Sequence, residues 1–305
     1  MSTTSYNCTT ADQRSEGLAH AQRAIAAKQV IVMPTDTVYG IAADAFSAQA
    51  VATLLAAKGR GRNMPPPVLM PRRQTMEGLA TEIGEDARKL AEKFWPGGLT
   101  LIFHAQPSLT WDLGDTHGTV ALRVPDDELA LDLLTLTGPL AVSSANRTGQ
   151  PAAQSASEAR AQLAESVEVY LEGGFRPLQG TSAVPSTIVD ATGLRLRIVR
   201  EGAISLEQIR EVVPSALGLG EEPVMWSPTG DGTAEVEVEE STNDAPEENS
   251  VTTGEDTDTP ESGNVEETPD AGDVPAAVDA AGATEKDATV DATAEETAET
   301  AADGH

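Results

Sequence analysis

The sequence contains little sulfur and no long apolar segments. Cys8 is the single cysteine among 305 residues, so no disulfide can form within the chain, which favours a reducing compartment. No run approaches the roughly 18 apolar residues of a membrane-spanning helix, and the polar first residues lack the apolar core of a secretory signal peptide. We therefore expect a cytoplasmic protein with no membrane association.

Several common nucleotide and metal motifs are also absent. The sequence has no G-x-x-x-x-G-K-[ST], no G-x-G-x-x-G after an apolar run, no H-E-x-x-H and no C-x-x-C. These absences exclude a P-loop, a dinucleotide-binding fingerprint and the common zinc motifs. Any nucleotide would have to be held by other loops, and we predict no metal site built from protein side chains.

Basic and aromatic residues are scarce in the C-terminal part of the chain. Residues 217–305 contain 26 Asp and Glu but only one base, Lys286, and Trp226 is their only aromatic residue. Such a composition cannot bury enough apolar surface to offset the entropy of ordering, so we predict a disordered acidic tail over 217–305. The preceding residues carry a net charge of only −4. They are numerous enough for one folded domain, which we place at 12–213.

Apolar spacing in this domain predicts a mixture of helices and strands. We expect about seven strands and five or six helices, with Ser47 and Ser205 as helix N-caps and Gln208 completing a capping box. The apolar runs around 187–190 and 195–200 should pair as a hairpin. Because helices and strands do not alternate regularly, the pattern favours an α/β (α+β) fold. We predict a single twisted, mixed β-sheet flanked by helices.

Three cations cluster in the stretch "KGRGRNMPPP". Lys58, Arg60 and Arg62 are separated by glycines and followed by three prolines. Glycine lets a ligand approach the backbone, arginine forms bidentate contacts with phosphate oxygens, and proline limits chain freedom. The pattern therefore favours a triphosphate site. The alternative is that these cations only complement the dipole at the end of a helix.

Hydroxyl-bearing loops follow several of the predicted strands. They are "PTDTVYG" after the first strand, "SSAN" at 143–146, and "VPSTIVD" at 184–190. Hydroxyls and amides of this kind can orient a small polar ligand, although each motif alone is also typical of an ordinary turn.

Taken together and in order, these motifs resemble the YrdC-like family of L-threonylcarbamoyladenylate synthases. The resemblance covers about residues 12–213 and rests on "PTDTVYG", "KGR", "PPPVLM", "FWPGGLTLI", "TVALRVP", "SSANRTGQP", "PSTIVD" and "IVREGAIS". It implies a twisted mixed sheet with a concave basic cavity. It also implies a nucleotidyltransferase that converts L-threonine, bicarbonate or CO2 and ATP, with Mg2+, into threonylcarbamoyl-AMP and pyrophosphate. Downstream proteins would then transfer the threonylcarbamoyl group to position 37 of tRNA.

The resemblance also assigns roles to particular residues. The catalytic pair would be Lys58 and Arg60. The side chains facing ATP would be Lys58, Arg60, Thr119, Ser144, Asn146 and Arg200. Those contacting threonine would be Thr35, Thr37, Arg123 and Ser186, with Arg123 gripping the carboxylate. The alternatives are a structural ion pair at a strand end for Arg123 and a solvated strand position for Arg200.

Two other functions remain open from the sequence. A concave basic surface could be a non-catalytic module that binds double-stranded RNA or tRNA, but the net charge of −4 over residues 1–216 lacks the broad basic excess of RNA-binding proteins. A related carbamoyl-transfer enzyme could use another amine or carbamoyl donor. Threonine-dependent release of pyrophosphate from ATP would separate these functions from the first.

Overall fold

Short strands with apolar residues on both faces build the centre of the molecule. In the strand Ile31–Met33, Val32 packs into one apolar cluster, whereas Ile31 and Met33 pack into a second. In the strand Leu140–Ser144, Ala141 and Leu140 divide between the same two clusters. Because successive side chains of a strand point to opposite faces, this division requires an apolar layer on each side of the sheet.

The computed structural model describes residues 3–178 and 184–222. Within these ranges the strands are β1 (Thr4–Asn7), β2 (Ile31–Met33), β3 (Gly40–Asp44), β4 (Val68–Leu69), β5 (Ala80–Thr81), β6 (Leu99–Ala105), β7 (Thr119–Arg123), β8 (Leu140–Ser144), β9 (Val169–Glu172), β10 (Thr187–Asp190) and β11 (Arg197–Arg200). The α-helices are α1 (Ala11–Ala26), α2 (Ala48–Lys58), α3 (Met76–Leu79), α4 (Glu85–Phe94), α5 (Glu128–Thr137), α6 (Ala156–Leu163) and α7 (Leu206–Val212). The described residues belong to the first of two units, Met1–Gly230, and the second unit, Asp231–His305, lies outside them. Of the predicted acidic tail, 217–305, residues 223–305 therefore also lie outside the described residues.

The strands form one mixed sheet. Their order is β1-β9-β2-β3-β8-β4-β7-β6-β10-β11, and β5 pairs with β6. Strand β9 runs parallel to β1 and β2, and β6 runs parallel to β10, whereas β2–β3, β3–β8 and β6–β7 are antiparallel. Neighbours in space are therefore often distant in sequence, and loops from remote parts of the chain meet at the ends of the central strands.

Helices cover both faces of this sheet. Apolar residues of α1 and α5 pack into one cluster with Ile31 and Leu171. Apolar residues of α2, α4, α6 and α7 pack into the other cluster with Tyr39 and Phe103. The predicted fold, a single domain with a mixed sheet flanked by helices, is confirmed. Among the residues that the structure describes, no helix is both long and apolar enough to cross a membrane.

Several local predictions are confirmed as well. The Ser47 side chain accepts a hydrogen bond from the Ala50 N–H, and Ser205 forms the predicted capping box with Gln208. Strands β10 and β11 pair antiparallel. The described part has more strands than expected, and β3 is one that the apolar pattern did not reveal. Its sequence, GIAAD, is rich in small residues with weak β-propensity, and it is held as a strand by β2 and β8 on its two sides.

Candidate active site

A cleft of about 190 Å³ opens where several separate segments of the chain meet. The loop between β2 and β3, the segment after α2, the ends of β7 and β8, and the loop before β10 all contribute to its wall. Its threonines and serines are Thr35, Thr37, Thr100, Ser143, Ser144 and Ser186, and its arginines are Arg60, Arg123 and Arg200. Its apolar wall includes Pro65, Pro67, Leu69, Val142, Pro185 and Ile188. The cleft therefore combines positively charged and small polar side chains with an apolar wall.

Arg60 is positioned by the end of helix α2. Gly59 ends this helix in the left-handed conformation, at φ 62°, which glycine adopts without strain. The Arg60 Nη1 donates to Ser143 Oγ at 3.1 Å. Its Nε is buried and has no hydrogen-bond partner within the described residues. Burial lowers the Arg60 pKa, as expected for a cation removed from water without an anion beside it.

Arg200 lies at the end of β11 and contacts the loop before β10. Its Nε and Nη2 donate to the Ser186 carbonyl oxygen at 3.1 and 2.6 Å, and Nη2 also donates to Ser186 Oγ at 3.0 Å. The Arg200 pKa is lowered by burial, and further by the nearby charges of Arg123 and Arg60. Arg200 is therefore repelled by the guanidinium groups of Arg123 and Arg60, and an anion bound near it would relieve that repulsion.

Arg123 is the last residue of β7. Its Nε donates to the Gly97 carbonyl oxygen at 2.9 Å, its Nη1 to Thr37 Oγ1 at 3.1 Å, and its Nη2 to Asp36 Oδ1 at 2.6 Å. The ion pair considered from the sequence as an alternative is thus present, with Asp36 as the partner. Arg123 nevertheless lines the cleft, so the ion pair and a ligand contact are compatible.

Hydroxyl groups line the cleft between the arginines. Thr35 Oγ1 donates to the Val38 carbonyl oxygen at 2.6 Å and lies 3.1 Å from Thr37 Oγ1. Thr100 Oγ1 and Ser186 Oγ are 2.8 Å apart and both side chains are buried. Hydroxyls donate and accept, so they can exchange these internal bonds for bonds to a ligand.

Lys58 and Asn146 lie behind the wall of the cleft. The Lys58 ammonium is buried and donates to the carbonyl oxygens of Ser144 and Asn146, the latter at 2.6 Å. The Asn146 Nδ2 donates in turn to the Gln150 carbonyl oxygen at 2.7 Å. Burial, and secondly the charge of Arg60, lower the Lys58 pKa to about 7. Lys58 therefore braces the loop that carries Ser144.

The cleft brings together seven of the residues proposed from the sequence. These are Thr35, Thr37, Arg60, Arg123, Ser144, Ser186 and Arg200. Lys58 and Asn146 stand one layer back from this group. Thr119 donates from its hydroxyl to the Thr116 carbonyl oxygen at 2.8 Å and is not among the cleft-lining residues. The roles assigned to all of these residues remain predictions.

Two residues at or beside the cleft, Asp36 and Thr100, did not emerge as functional from the sequence. Asp36 stands inside the motif "PTDTVYG", next to residues that were singled out. Thr100 resembles an ordinary residue of an apolar strand, and only the pairing of β6 with β10 brings it beside Ser186. No group of three or more His, Cys, Asp or Glu side chains within the described residues is placed to hold a metal ion.

The mixed sheet and its arginine- and hydroxyl-lined cleft define an α/β protein suited to small anionic ligands, without a P-loop. Residues 23–202 match the Sua5_yciO_yrdC family model, whose description is telomere recombination. The chain belongs to the Sua5/YciO/YrdC family, which confirms the resemblance found in the sequence.

Individual relatives agree with this assignment. A Mycobacterium tuberculosis (strain H37Rv) protein, provisionally named threonylcarbamoyl-AMP synthase, is 51% identical over 211 residues, which cover 69% of this chain and 95% of that protein. The Pyrococcus abyssi threonylcarbamoyl-AMP synthase is 34% identical over 186 residues, or 61% of this chain and 54% of that protein. The crystal structure of P. abyssi Sua5 complexed with L-threonine superposes with a TM-score of 0.62 at 33% identity, covering 66% of this chain and 58% of that one.

Proposed function

We propose that this chain is a threonylcarbamoyl-AMP synthase, which converts L-threonine, bicarbonate and ATP into threonylcarbamoyl-AMP and pyrophosphate. The observation that carries the proposal is the cleft, in which Arg60 and Arg200 have only neutral hydrogen-bond partners among the described residues. The names of relatives at 51% and 34% identity support the same activity. The threonine complex of a 33% identical structure supports threonine as a substrate.

Threonine is assigned to the Arg123 side of the cleft. An arginine has five N–H donors, and the Arg123 contacts with Gly97, Thr37 and Asp36 use three of them. The remaining N–H groups can donate hydrogen bonds to a carboxylate in the bidentate geometry that arginine favours. Thr35, Thr37 and Ser186 lie on the same cleft surface and supply hydroxyls for the amino-acid substrate.

ATP is assigned to the side of Arg60 and Arg200. These two cations and the Ser144 hydroxyl face the cleft and would contact phosphate oxygens. Lys58 and Asn146 act by holding the 144–150 loop in place. Mg2+ enters as part of the MgATP substrate, because the described residues offer no carboxylate cluster for a protein-bound ion and Mg2+ is commonly held by substrate phosphates.

The reaction needs positioning and charge neutralisation rather than a covalent enzyme intermediate. Bicarbonate takes up a proton and loses water to give CO2, and the threonine amine then adds to CO2 and loses a proton, which gives a carbamate. A carbamate oxygen then attacks the α-phosphorus of ATP, and the bond to pyrophosphate breaks. Guanidinium groups fixed before the reaction stabilise negative charge that moves onto the phosphate oxygens, and each such contact can contribute about 3 kcal/mol to transition-state stabilisation. The product would serve tRNA modification by later proteins, in the cytoplasm.

The test is a reaction of the purified protein with MgATP, bicarbonate and isotopically labelled L-threonine. We expect a labelled adenylate by mass spectrometry and an equal amount of pyrophosphate, both dependent on threonine. Pyrophosphate release without threonine, or with another amine in its place, would favour a related carbamoyl-transfer enzyme. Absence of any product, together with tight binding of tRNA, would favour the RNA-binding alternative.

A further inference from the structure

Asp36 places a fixed negative charge beside one of the three cleft arginines. Its Oδ1 accepts from Arg123 Nη2 at 2.6 Å and from the backbone N–H of Asp126 at 3.0 Å. The two paired side chains are largely buried, with 16% of Asp36 and 7% of Arg123 exposed. Because a backbone N–H also holds the carboxylate, the position of Asp36 does not depend on Arg123 alone.

The other two cleft arginines have no such partner. Within residues 3–178 and 184–222, Arg60 donates to the Ser143 hydroxyl, and Arg200 donates to the carbonyl oxygen and hydroxyl of Ser186. No carboxylate forms an ion pair with either of them in that part of the chain. Among the described residues, the cleft therefore contains one arginine that is paired with a carboxylate, Arg123, and two that are not, Arg60 and Arg200.

The carboxylate beside Arg123 disfavours the binding of highly charged anions there more than the binding of singly charged ones. The repulsion between Asp36 and a bound anion grows in proportion to the anion's charge, so a triphosphate or pyrophosphate is repelled several times more strongly than a single carboxylate. A carboxylate can still use the N–H groups that Arg123 has left. Arg60 and Arg200, which lack a compensating charge, attract phosphates without this penalty.

We propose that Asp36 is a specificity-determining residue that reserves Arg123 for the singly charged carboxylate of the amino-acid substrate and directs phosphate groups to Arg60 and Arg200. The inference rests on the proposed function for the identity of the two ligands. Asp36 does not line the cleft, so it acts through its charge and its pairing with Arg123 and not by contact with either substrate. Without its charge, pyrophosphate would also occupy Arg123 and exclude threonine.

The experiment measures binding by titration calorimetry, without turnover, using L-threonine and pyrophosphate as the two ligands. In the unaltered protein, saturating pyrophosphate should leave the threonine Kd within about twofold. In Asp36→Asn, which keeps the shape and an acceptor for the Asp126 N–H, pyrophosphate should raise the threonine Kd about tenfold, equivalent to about 1.4 kcal/mol of coupling. Pyrophosphate alone should bind this variant several-fold more tightly.

Asp127→Asn is the matched control, because Asp127 forms the other buried ion pair of the described residues, with Arg176 Nε at 2.8 Å, and neither residue lines the cleft. This control should lose stability without any competition between the ligands. Asp36→Glu should restore independent binding.

Several outcomes would overturn the inference. If threonine and pyrophosphate compete in the unaltered protein, Asp36 does not separate them, and this measurement needs no variant that might fail to fold. If Asp36→Asn shows neither competition nor tighter pyrophosphate binding, Asp36 is only structural. If the unaltered protein binds pyrophosphate but no threonine, the proposed function is wrong, and the pyrophosphate affinity of Asp36→Asn still tests the effect of the charge.

Discussion

At the scale of single residues, we expect the pKa of the buried Lys58 to change when a ligand binds in the cleft. Its pKa is lowered to about 7 from an ordinary value of 10.5, first by burial and then by the charge of Arg60. Phosphates bound at Arg60 would cancel the second cause and add an attractive charge. The Lys58 pKa should therefore rise when ATP binds.

The measurable consequence is proton uptake. At pH 8 most Lys58 amines are neutral in the free protein, since the pH exceeds the pKa, and most should be protonated in the complex. Calorimetry of MgATP binding in two buffers of different ionisation enthalpy should show uptake of up to about one proton, and Lys58→Met should abolish it. Equal uptake by the variant would assign the proton to another group.

Arg123→Lys tests the assignment of the carboxylate. Lysine keeps the positive charge but not the planar fork of donors. We expect the threonine KM to rise about tenfold or more while the ATP KM stays within about twofold. Thermal melting is the control, because Arg123 also bonds to Gly97 and Asp36. Equal weakening of both substrates would indicate that Arg123 serves mainly the fold.

The candidate site was partly readable from the sequence at this scale. Arg60, Arg123 and Arg200 lie in motifs whose residue types indicate anion binding. Thr100 could not be found in this way, because a threonine within an apolar strand has no local feature that separates it from its neighbours. The position of Lys58 behind Ser144 could not be predicted from the sequence either, because it depends on hydrogen bonds to carbonyl oxygens of a loop 86 residues away.

At the scale of elements, the loop between β6 and β7 supports the segment that carries Arg60. The Asp115 N–H donates to the Arg62 carbonyl oxygen at 2.8 Å, and the Arg62 guanidinium pairs with Asp112 at 2.8 Å. Gly114 makes this contact possible. A Cβ at Gly114 would lie 2.6 Å from the Arg62 carbonyl oxygen, and its φ is +107°.

Gly114→Ala should therefore displace the cation segment and reduce activity. Gly118→Ala is a close control: it lies in the same loop at φ +79°, but an added Cβ has no atom within 4 Å. Both variants carry the cost of a left-handed alanine, about 1 kcal/mol. Only Gly114→Ala should also lower kcat/KM for ATP, by about tenfold or more. Similar kinetics for both variants would show that the loop does not position Arg60.

Element boundaries followed from the sequence where a local signal existed. Caps at Ser47 and Ser205 and the β10–β11 hairpin depend on neighbouring residues. Strand β1 has no such signal, because TSYN is short and three of its four residues, Thr4, Ser5 and Asn7, are polar, so it shows no apolar alternation. Its pairing with β9, more than 160 residues away, is what makes it a strand.

At the scale of the whole molecule, the described fold extends beyond the predicted domain limits of 12 and 213. Leu217 bonds to Leu196 and Ile198 through backbone groups at 2.8 and 2.9 Å. Glu221 forms ion pairs or hydrogen bonds with Arg210 and the N–H of Gly218. Residues 217–222, the first residues of the predicted acidic tail, are therefore held by the fold and contribute to its stability.

Two truncations separate the fold from the tail. A chain ending at residue 222 should keep the Tm and activity of the full protein. A chain ending at residue 216 should lose about 2–3 kcal/mol of unfolding free energy, from broken hydrogen bonds and exposed Leu217, which lowers Tm by roughly 5–10 °C. Thermal melts of the three chains test both expectations, and a large loss of Tm in the chain ending at residue 222 would contradict the prediction that residues 223–305 are dispensable for the fold.

The strand order also governs when the protein can begin to work during its own synthesis. Among the described strands, the first strand, β1, pairs only with β9, and the cleft includes Ser186 from the loop before β10 and Arg200 from β11. A nascent chain emerging from the ribosome therefore carries an unpaired edge until residue 172 is available and an incomplete anion site until residue 200. Such late closure is typical of slow, non-local folding. The nascent chain can therefore acquire a complete cleft, and with it activity, only after the last quarter of the domain has been translated.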